Sequence, residues 1–467
     1  MKSDFKFQPT PLQKLIPRFV SQGTLVGVCL FAFLLSLDAI ENSPHAYGLA
    51  SRPAAKAYLQ MPDRAEGELP PLLSQTGAFK NTSALEVSNG LIPYDLNVSF
   101  WSDGALKSRW ISVPSHASIT FAASGEWAFP PGTIFIKHFD LATDETRPDL
   151  KRRLETRLLV RDAAGGVYGV TYKWRADNSD ADLLATNLSE AISIQTATGV
   201  RTQMWYYPSR QDCITCHTPL NGGVLGVKTR QLNREITFPS GVTDNQLRAW
   251  NHIGLFEEKL EEVELKKLPR LARANDFAQS LEDRARSYLD ANCAHCHRPN
   301  GTVANFDARF DTPLGKQNLI GGPILINEGI DSARVIAPND IWRSILFMRV
   351  NRLDGLRMPP LAHGELDRQG SALMRQWILS LPGPKVLPPP EISPPGGNFS
   401  GPVEVSLQAG EPGANIRYTL DGSVPTVSDF LYEKPIPVSS PTVIRAKAFK
   451  PGFTKSITAQ EVFSVGE

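Results

Sequence analysis

Three things are scarce in this chain. Cysteine contributes five of 467 residues and methionine six. Net charge is almost nil, since 49 Lys and Arg stand against 48 Asp and Glu, leaving +1. That balance excludes a general electrostatic attraction to nucleic acid. Near the amino terminus the apolar run 25–37 is short of the roughly 20 residues that a bilayer-spanning helix needs. What is present excludes a disordered chain: hydrophobic residues make up 41%, enough for real cores. The length suggests about three domains.

The short apolar run follows Lys2, Lys6, Lys14 and Arg18, which gives it the form of an export signal. Gly48-Leu49-Ala50 before Ser51 is the expected processing site, and the chain is expected to be periplasmic or secreted. An uncleaved membrane anchor is the alternative. Cys29 lies inside the run, before Phe31-Ala32-Phe33-Leu34-Leu35, and reads as simple bulk in a removed segment.

The other four cysteines fall in two pentapeptides, Cys213-Ile214-Thr215-Cys216-His217 and Cys293-Ala294-His295-Cys296-His297. Each has a Cys-x-x-Cys spacing followed directly by an imidazole. That spacing lets both sulfurs reach the two vinyl groups of one haem while His217 or His297 takes the iron. A four-thiolate zinc site competes, but it makes both trailing histidines accidental and must bridge the long gap from Cys216 to Cys293. A thioredoxin-like pair wants a βαβ setting and has no use for the histidine. Structural disulfides are the third competitor in an exported chain. The reading taken is two covalently bound c-type haems, held through Cys213, Cys216 and His217 and through Cys293, Cys296 and His297.

Each motif supplies only one axial ligand. For the second haem the distal candidate is Met358, in Arg357-Met358-Pro359-Pro360, since a thioether favours ferrous iron and raises the potential. For the first, no methionine follows Cys213 until Met348, so a histidine is favoured. His252, near a helix end, is the first choice, His138 the second and Met204 the third. Met348 and Met374 read as core. His295 is expected to face solvent.

The fold class expected is multidomain α+β. Residues 1–50 form the export signal or anchor and 51–90 an irregular lead-in. Residues 91–270 form a β-rich domain carrying the first motif, in a loop. Within it, 118–121, 132–139 and 200–207 read as strands, and 153–161 with 166–174 as a hairpin around Asp162-Ala163-Ala164-Gly165. Residues 271–382 form an all-α domain, with helices predicted at 277–291 and 366–381. Another helix is predicted at 244–253, capped by Thr243 or Asp244 and ended by Gly254. A stiff proline-rich linker, 383–397, leads to a small immunoglobulin-like β-sandwich at 398–467, with strands at 403–407, 415–420, 442–448 and 459–465.

From about Leu91 to Leu381 the sequence resembles exported bacterial dihaem c-type cytochromes. The matching stretches are Arg153-Leu154-Glu155-Thr156-Arg157, Trp174-Arg175-Ala176-Asp177-Asn178, residues 226–233, residues 251–256 and the two pentapeptides. Residues 286–381 resemble a class I cytochrome c domain. That resemblance implies attachment through Cys293 and Cys296, with His297 and Met358 as axial ligands. The tail is similar to the carboxyl-terminal β-sandwich of chitobiase-type enzymes, through residues 416–426 and Ile444-Arg445-Ala446-Lys447-Ala448.

The function expected from these features is an electron carrier passing single electrons between a dehydrogenase and an acceptor, with a redox protein as partner. A dihaem oxidoreductase such as a peroxidase is one alternative. A haem-bearing module that contacts carbohydrate or protein through its tail is the other.

Overall fold

Runs of β-branched and aromatic residues between Leu106 and Trp174 build the four central strands of a six-stranded antiparallel meander. A computed structural model of the chain describes residues 46–302 and 305–466. In sheet order the strands are Leu91–Pro93, Leu106–Ser112, Ile134–Ala142, Lys151–Arg161, Val167–Trp174 and Ala181–Leu183. The predicted hairpin forms: Arg161 pairs with Val167, and Gly165 takes the left-handed conformation that the turn requires. Both faces of the sheet are covered. Ile134, Ile136, Leu158, Val160 and Val170 pack on the lead-in around Leu59, Leu73 and Phe79. Phe135, Leu159 and Ile111 face the other way, toward Val224, Trp250 and Phe256. A separate hairpin, Leu188–Thr196 with Gly199–Tyr207, ends at the first pentapeptide. Residues 118–121 give only isolated bridges, Ile119 to Phe256 and Thr120 to Ala128, instead of the predicted strand.

Two local expectations change. The first pentapeptide is not in a loop, because residues Arg210–Cys216 form a short helix. Ser209 caps it by accepting the Asp212 amide, and Asp212 answers by accepting the Ser209 amide, an arrangement that satisfies two orphan donors. The later helix spans Gln246–His252 and is capped by Asn245, whose side chain accepts from the amides of Leu247 and Arg248.

The expected all-α domain at 271–382 is overturned. Three helices lie there, Leu281–Asn292, Ile345–Val350 and Arg368–Ser380, separated by irregular chain. Residues between them have no helical period, and they make isolated bridges such as Ile320 to Ile336 and Arg334 to Ser344. The region is not self-contained. Ala291 and Leu271 share a small core with Val98, and Trp101 takes the Glu365 carbonyl at 2.9 Å. Residues Tyr47–Glu467 form one compact unit. With 20 strands against seven α-helices among the described residues, the chain is mostly β.

The tail folds as a sandwich-like domain. A three-stranded sheet (Glu391–Ser393, Val403–Gln408, Ile436–Val438) faces a five-stranded one. Val405, Leu407, Ile416, Ile444 and Phe463 fill the space between. The proline-rich stretch packs along this domain: Leu387 is fully buried, and its amide donates to the Thr454 carbonyl at 3.0 Å. The segment 1–45, with its expected signal, Cys29 and His45, lies outside the described residues.

Candidate functional site

The two pentapeptides, 76 residues apart in sequence, meet. Asn221 joins them: its side-chain amide donates to the Cys216 carbonyl at 2.7 Å and to the His295 carbonyl at 3.0 Å. Asn221 is 1% exposed, so these bonds are made out of water. Its amide oxygen accepts the Gly223 amide at 3.2 Å, and the Gly223 carbonyl in turn holds His217 Nδ1 at 2.8 Å. A carbonyl can only accept, so Nδ1 carries the proton and Nε2 keeps its lone pair. Arg298, just past the second pentapeptide, adds a further tie through Glu126 at 2.8 Å.

Each pentapeptide borders a cavity. The first, of about 220 Å³, is lined by Cys213, Cys216 and His217, by Phe135, Leu159 and Gly169 of the sheet, and by residues 359–362. The second, of about 240 Å³, is lined by Cys293, His297, Met358 and a largely apolar wall including Phe306, Ile345 and Val350. The His297 ring stacks on Phe306, with centroids 4.2 Å apart, and its Nδ1 is buried without a hydrogen-bond partner among the described residues. Burial pushes the pKa of both His217 and His297 down to about 4, so both rings are neutral at pH 7.

The four thiols are free and half-buried. Burial pushes Cys293 up to about 12 and raises Cys213. Cys216 and Cys296 hydrogen-bond to one another across the junction of the two pentapeptides. That bond raises Cys216, and together with His295 it lowers Cys296. Among the described residues the four sulfurs do not gather into one site, as a four-thiolate zinc centre needs.

Gly169 shows how tightly the first pentapeptide is seated. A Cβ there would stand 2.7 Å from Cys213 Sγ and 2.8 Å from its Cβ, so only glycine lets the helix approach the strand this closely. Gly169→Ala is expected to cost about 1–3 kcal/mol by overpacking. Urea unfolding checks it. An unchanged midpoint would show that Cys213 has room to move.

The predicted distal residues divide. Met358 is brought to the His297 cavity. Its amide donates to the Arg349 carbonyl at 2.9 Å, and the loop beyond it is held by buried Asp103, which accepts the amides of Gly364 and Glu365 at 2.7 and 2.9 Å. None of the three candidates for the first haem borders its cavity. His252 is exposed at the end of its helix and stacks on Tyr47, 3.5 Å between centroids. His138 is a satisfied core residue, bonded to Thr156 at 2.8 Å and to Asp140 at 3.2 Å. Met204 is 52% exposed. His295, expected to face solvent, instead borders the first cavity with a buried, unpartnered Nδ1. Sequence reasoning also missed Asn221, Gly169 and Lys137, which carry no motif and whose roles depend on neighbours distant in sequence: His295, Cys213, and the pair Arg109 and Arg157.

A porphyrin joined through two thioethers fits these features. Both cavities are largely apolar: the first adjoins Cys213, Cys216 and the neutral His217 ring, with Cys296 also on its wall, and the second adjoins Cys293 and the neutral His297 ring.

Residues 394–460 match the chitobiase/beta-hexosaminidase C-terminal domain family. No curated protein and no solved structure matches the chain. The expected designation as a cytochrome c, with its haem, iron and electron-transfer terms, is corrected accordingly. The family found is a different one, confined to the tail, and among the described residues no group of three or more His, Cys, Asp or Glu side chains is gathered to hold a metal ion. No described helix is long and apolar enough to cross a membrane.

Proposed function

We propose that the chain is an exported redox protein that carries two covalently attached haems, at residues 213–217 and 293–297, and passes single electrons between a dehydrogenase and an acceptor. The observation that carries this reading is the meeting of the two pentapeptides at Asn221, with one cavity beside Cys213, Cys216 and His217 and a second beside Cys293 and His297. Thioether attachment asks for two thiols and one or two axial side chains, not for a cluster of ligating residues. When bound, each haem supplies a one-electron couple. The chain's own part is to position and shield. Gly223 fixes the tautomer of His217, Phe306 orients His297, and the Asp103-anchored loop presents Met358. Electron exchange needs only a small, transient docking surface on a partner.

Two covalent haems are expected in the exported protein, by alkaline pyridine spectrum and by intact mass. Colour that extracts wholly into acidified organic solvent, or a mass equal to the bare polypeptide, would overturn the reading. In a spectroelectrochemical titration, Met358→Ala should lower the potential of one haem and leave the other unmoved. If neither wave shifts, Met358 is not a ligand.

A second reading gives the tail a sugar- or partner-contact role. Its family match and the exposed apolar side chains Val424, Val427 and Phe430 favour it. Removal of residues 391–467 should then abolish binding to chitin-derived oligosaccharide and leave the visible spectrum intact. Retained binding would count against it.

A further inference from the structure

Three cations stand side by side on one rung of the central sheet. Arg109 is in register with Lys137, and Lys137 with Arg157. The two-residue period of strands puts them on the same face as Phe135 and Leu159, and all five line the first cavity. Like charges directly opposite one another destabilise a sheet, so this row calls for compensating anions. The protein supplies two. Asp95 takes Arg109 at 2.9 Å, and Glu155 takes Arg157 at 3.0 and 2.6 Å. Lys137, between them, makes no hydrogen bond or ion pair among the described residues. It lies only over the rings of Phe100 and Phe139, at 5.7 and 4.9 Å. Arg109 is 5% exposed and keeps a buried Nη2 without a partner. One ammonium without an anion, beside one guanidinium nitrogen without an acceptor, on the wall of a largely apolar cavity points to an anionic ligand there.

We infer that the Arg109–Lys137–Arg157 rung binds the carboxylates of a flat, apolar, carboxylate-bearing ligand in this cavity. The inference rests on the reading proposed above, under which these carboxylates are the propionates of the first haem. The rung lies on the sheet face that also carries Gly169, the seat of Cys213, so one surface takes both the thioether edge and the acidic edge of the ligand. Burial, followed by repulsion from Arg109, Lys107 and Arg157, holds the Lys137 ammonium well below its ordinary range. A carboxylate beside it would offset both effects.

The test uses the full exported protein, first assayed for covalent haem by alkaline pyridine spectrum. With haem present, Lys137→Gln should lower the potential of one haem, because loss of a nearby cation favours the oxidised state. The other potential should not move, and Lys137→Arg should restore the first. Should Lys137→Gln fail to fold, Arg109→Gln reads the same shift, since Asp95 stays paired with Arg234 at 2.7 Å. Unmoved potentials overturn the inference. Conversion of one haem to high spin also overturns it, by making Lys137 an iron ligand instead of a carboxylate partner. If no haem is found the parent reading fails separately. The rung is then tested with the planar anion 1-anilinonaphthalene-8-sulfonate: tenfold weaker binding in Lys137→Gln supports it, and equal binding overturns it.

Discussion

Asn221→Ala is expected to uncouple the two pentapeptides and to loosen His217 at the same time. The substitution removes the donor shared by the Cys216 and His295 carbonyls, and the acceptor for the Gly223 amide. A buried group left unpaired costs about 1–3 kcal/mol, so a total loss of about 2–4 kcal/mol is expected where no water enters. If the chain carries haem as proposed, the visible signal of the site at residues 213–217 should broaden, because the chain from Asn221 through Gly223 orients the His217 ring. Asn221→Asp keeps the acceptor but loses the donor, so it should retain the Gly223 contact and still separate the pentapeptides. Urea midpoints and visible circular dichroism check the pair. An unchanged midpoint would mean that other contacts across the junction, such as Cys216 with Cys296 and Arg298 with the Leu220 carbonyl at 3.4 Å, hold it without Asn221.

Acid should weaken the haem-free chain over a defined window. His217 and His297 each titrate near 4 in the folded protein, with burial the largest cause, against an ordinary value near 6.5. Between those values the unfolded chain binds protons that the folded chain refuses, so stability falls as pH drops. The contribution of these rings is fully present above about 6.5, declines down to about 4, and is flat below. Each ring changes stability by about 1.4 kcal/mol per pH unit in mid-window, or about 2.8 kcal/mol for the two together. Denaturant midpoints at pH 7 and pH 5 check this, and His217→Asn should remove about half of the dependence. If haem binds as proposed, loading it should flatten the window, since a metal-held ring nitrogen takes no proton. Equal midpoints at the two pH values would show that the rings are already hydrated in the folded state.

Local signals were readable in the sequence. Alternation and a glycine turn located the hairpin Lys151–Arg161 with Val167–Trp174 to within two residues. The tail's four predicted strands, at 403–407, 415–420, 442–448 and 459–465, each form. The two Cys-x-x-Cys-His pentapeptides and Met358 were legible as candidates because spacing or a distinctive neighbour such as Pro359-Pro360 marks them, and the structure sets Cys293, His297 and Met358 on one cavity. The all-α expectation for 271–382 failed because two well-patterned helices were extended over chain with no period of its own, where isolated bridges and side-chain bonds decide the path.

The sequence by itself determined which residues stand in Cys-x-x-Cys-His spacing and which segments alternate as strands, while the tail's first strand, Glu391–Ser393, falls inside the stretch read as linker. Tertiary structure alone decided that the pentapeptides touch, that His138 is satisfied within the core while His295 turns inward, and that Lys137 stands between two arginines. The reason is physical. Strand period and motif spacing are short-range and are written in neighbouring residues, whereas burial, charge pairing and the sharing of one amide by two carbonyls depend on which distant segments the folded chain brings together.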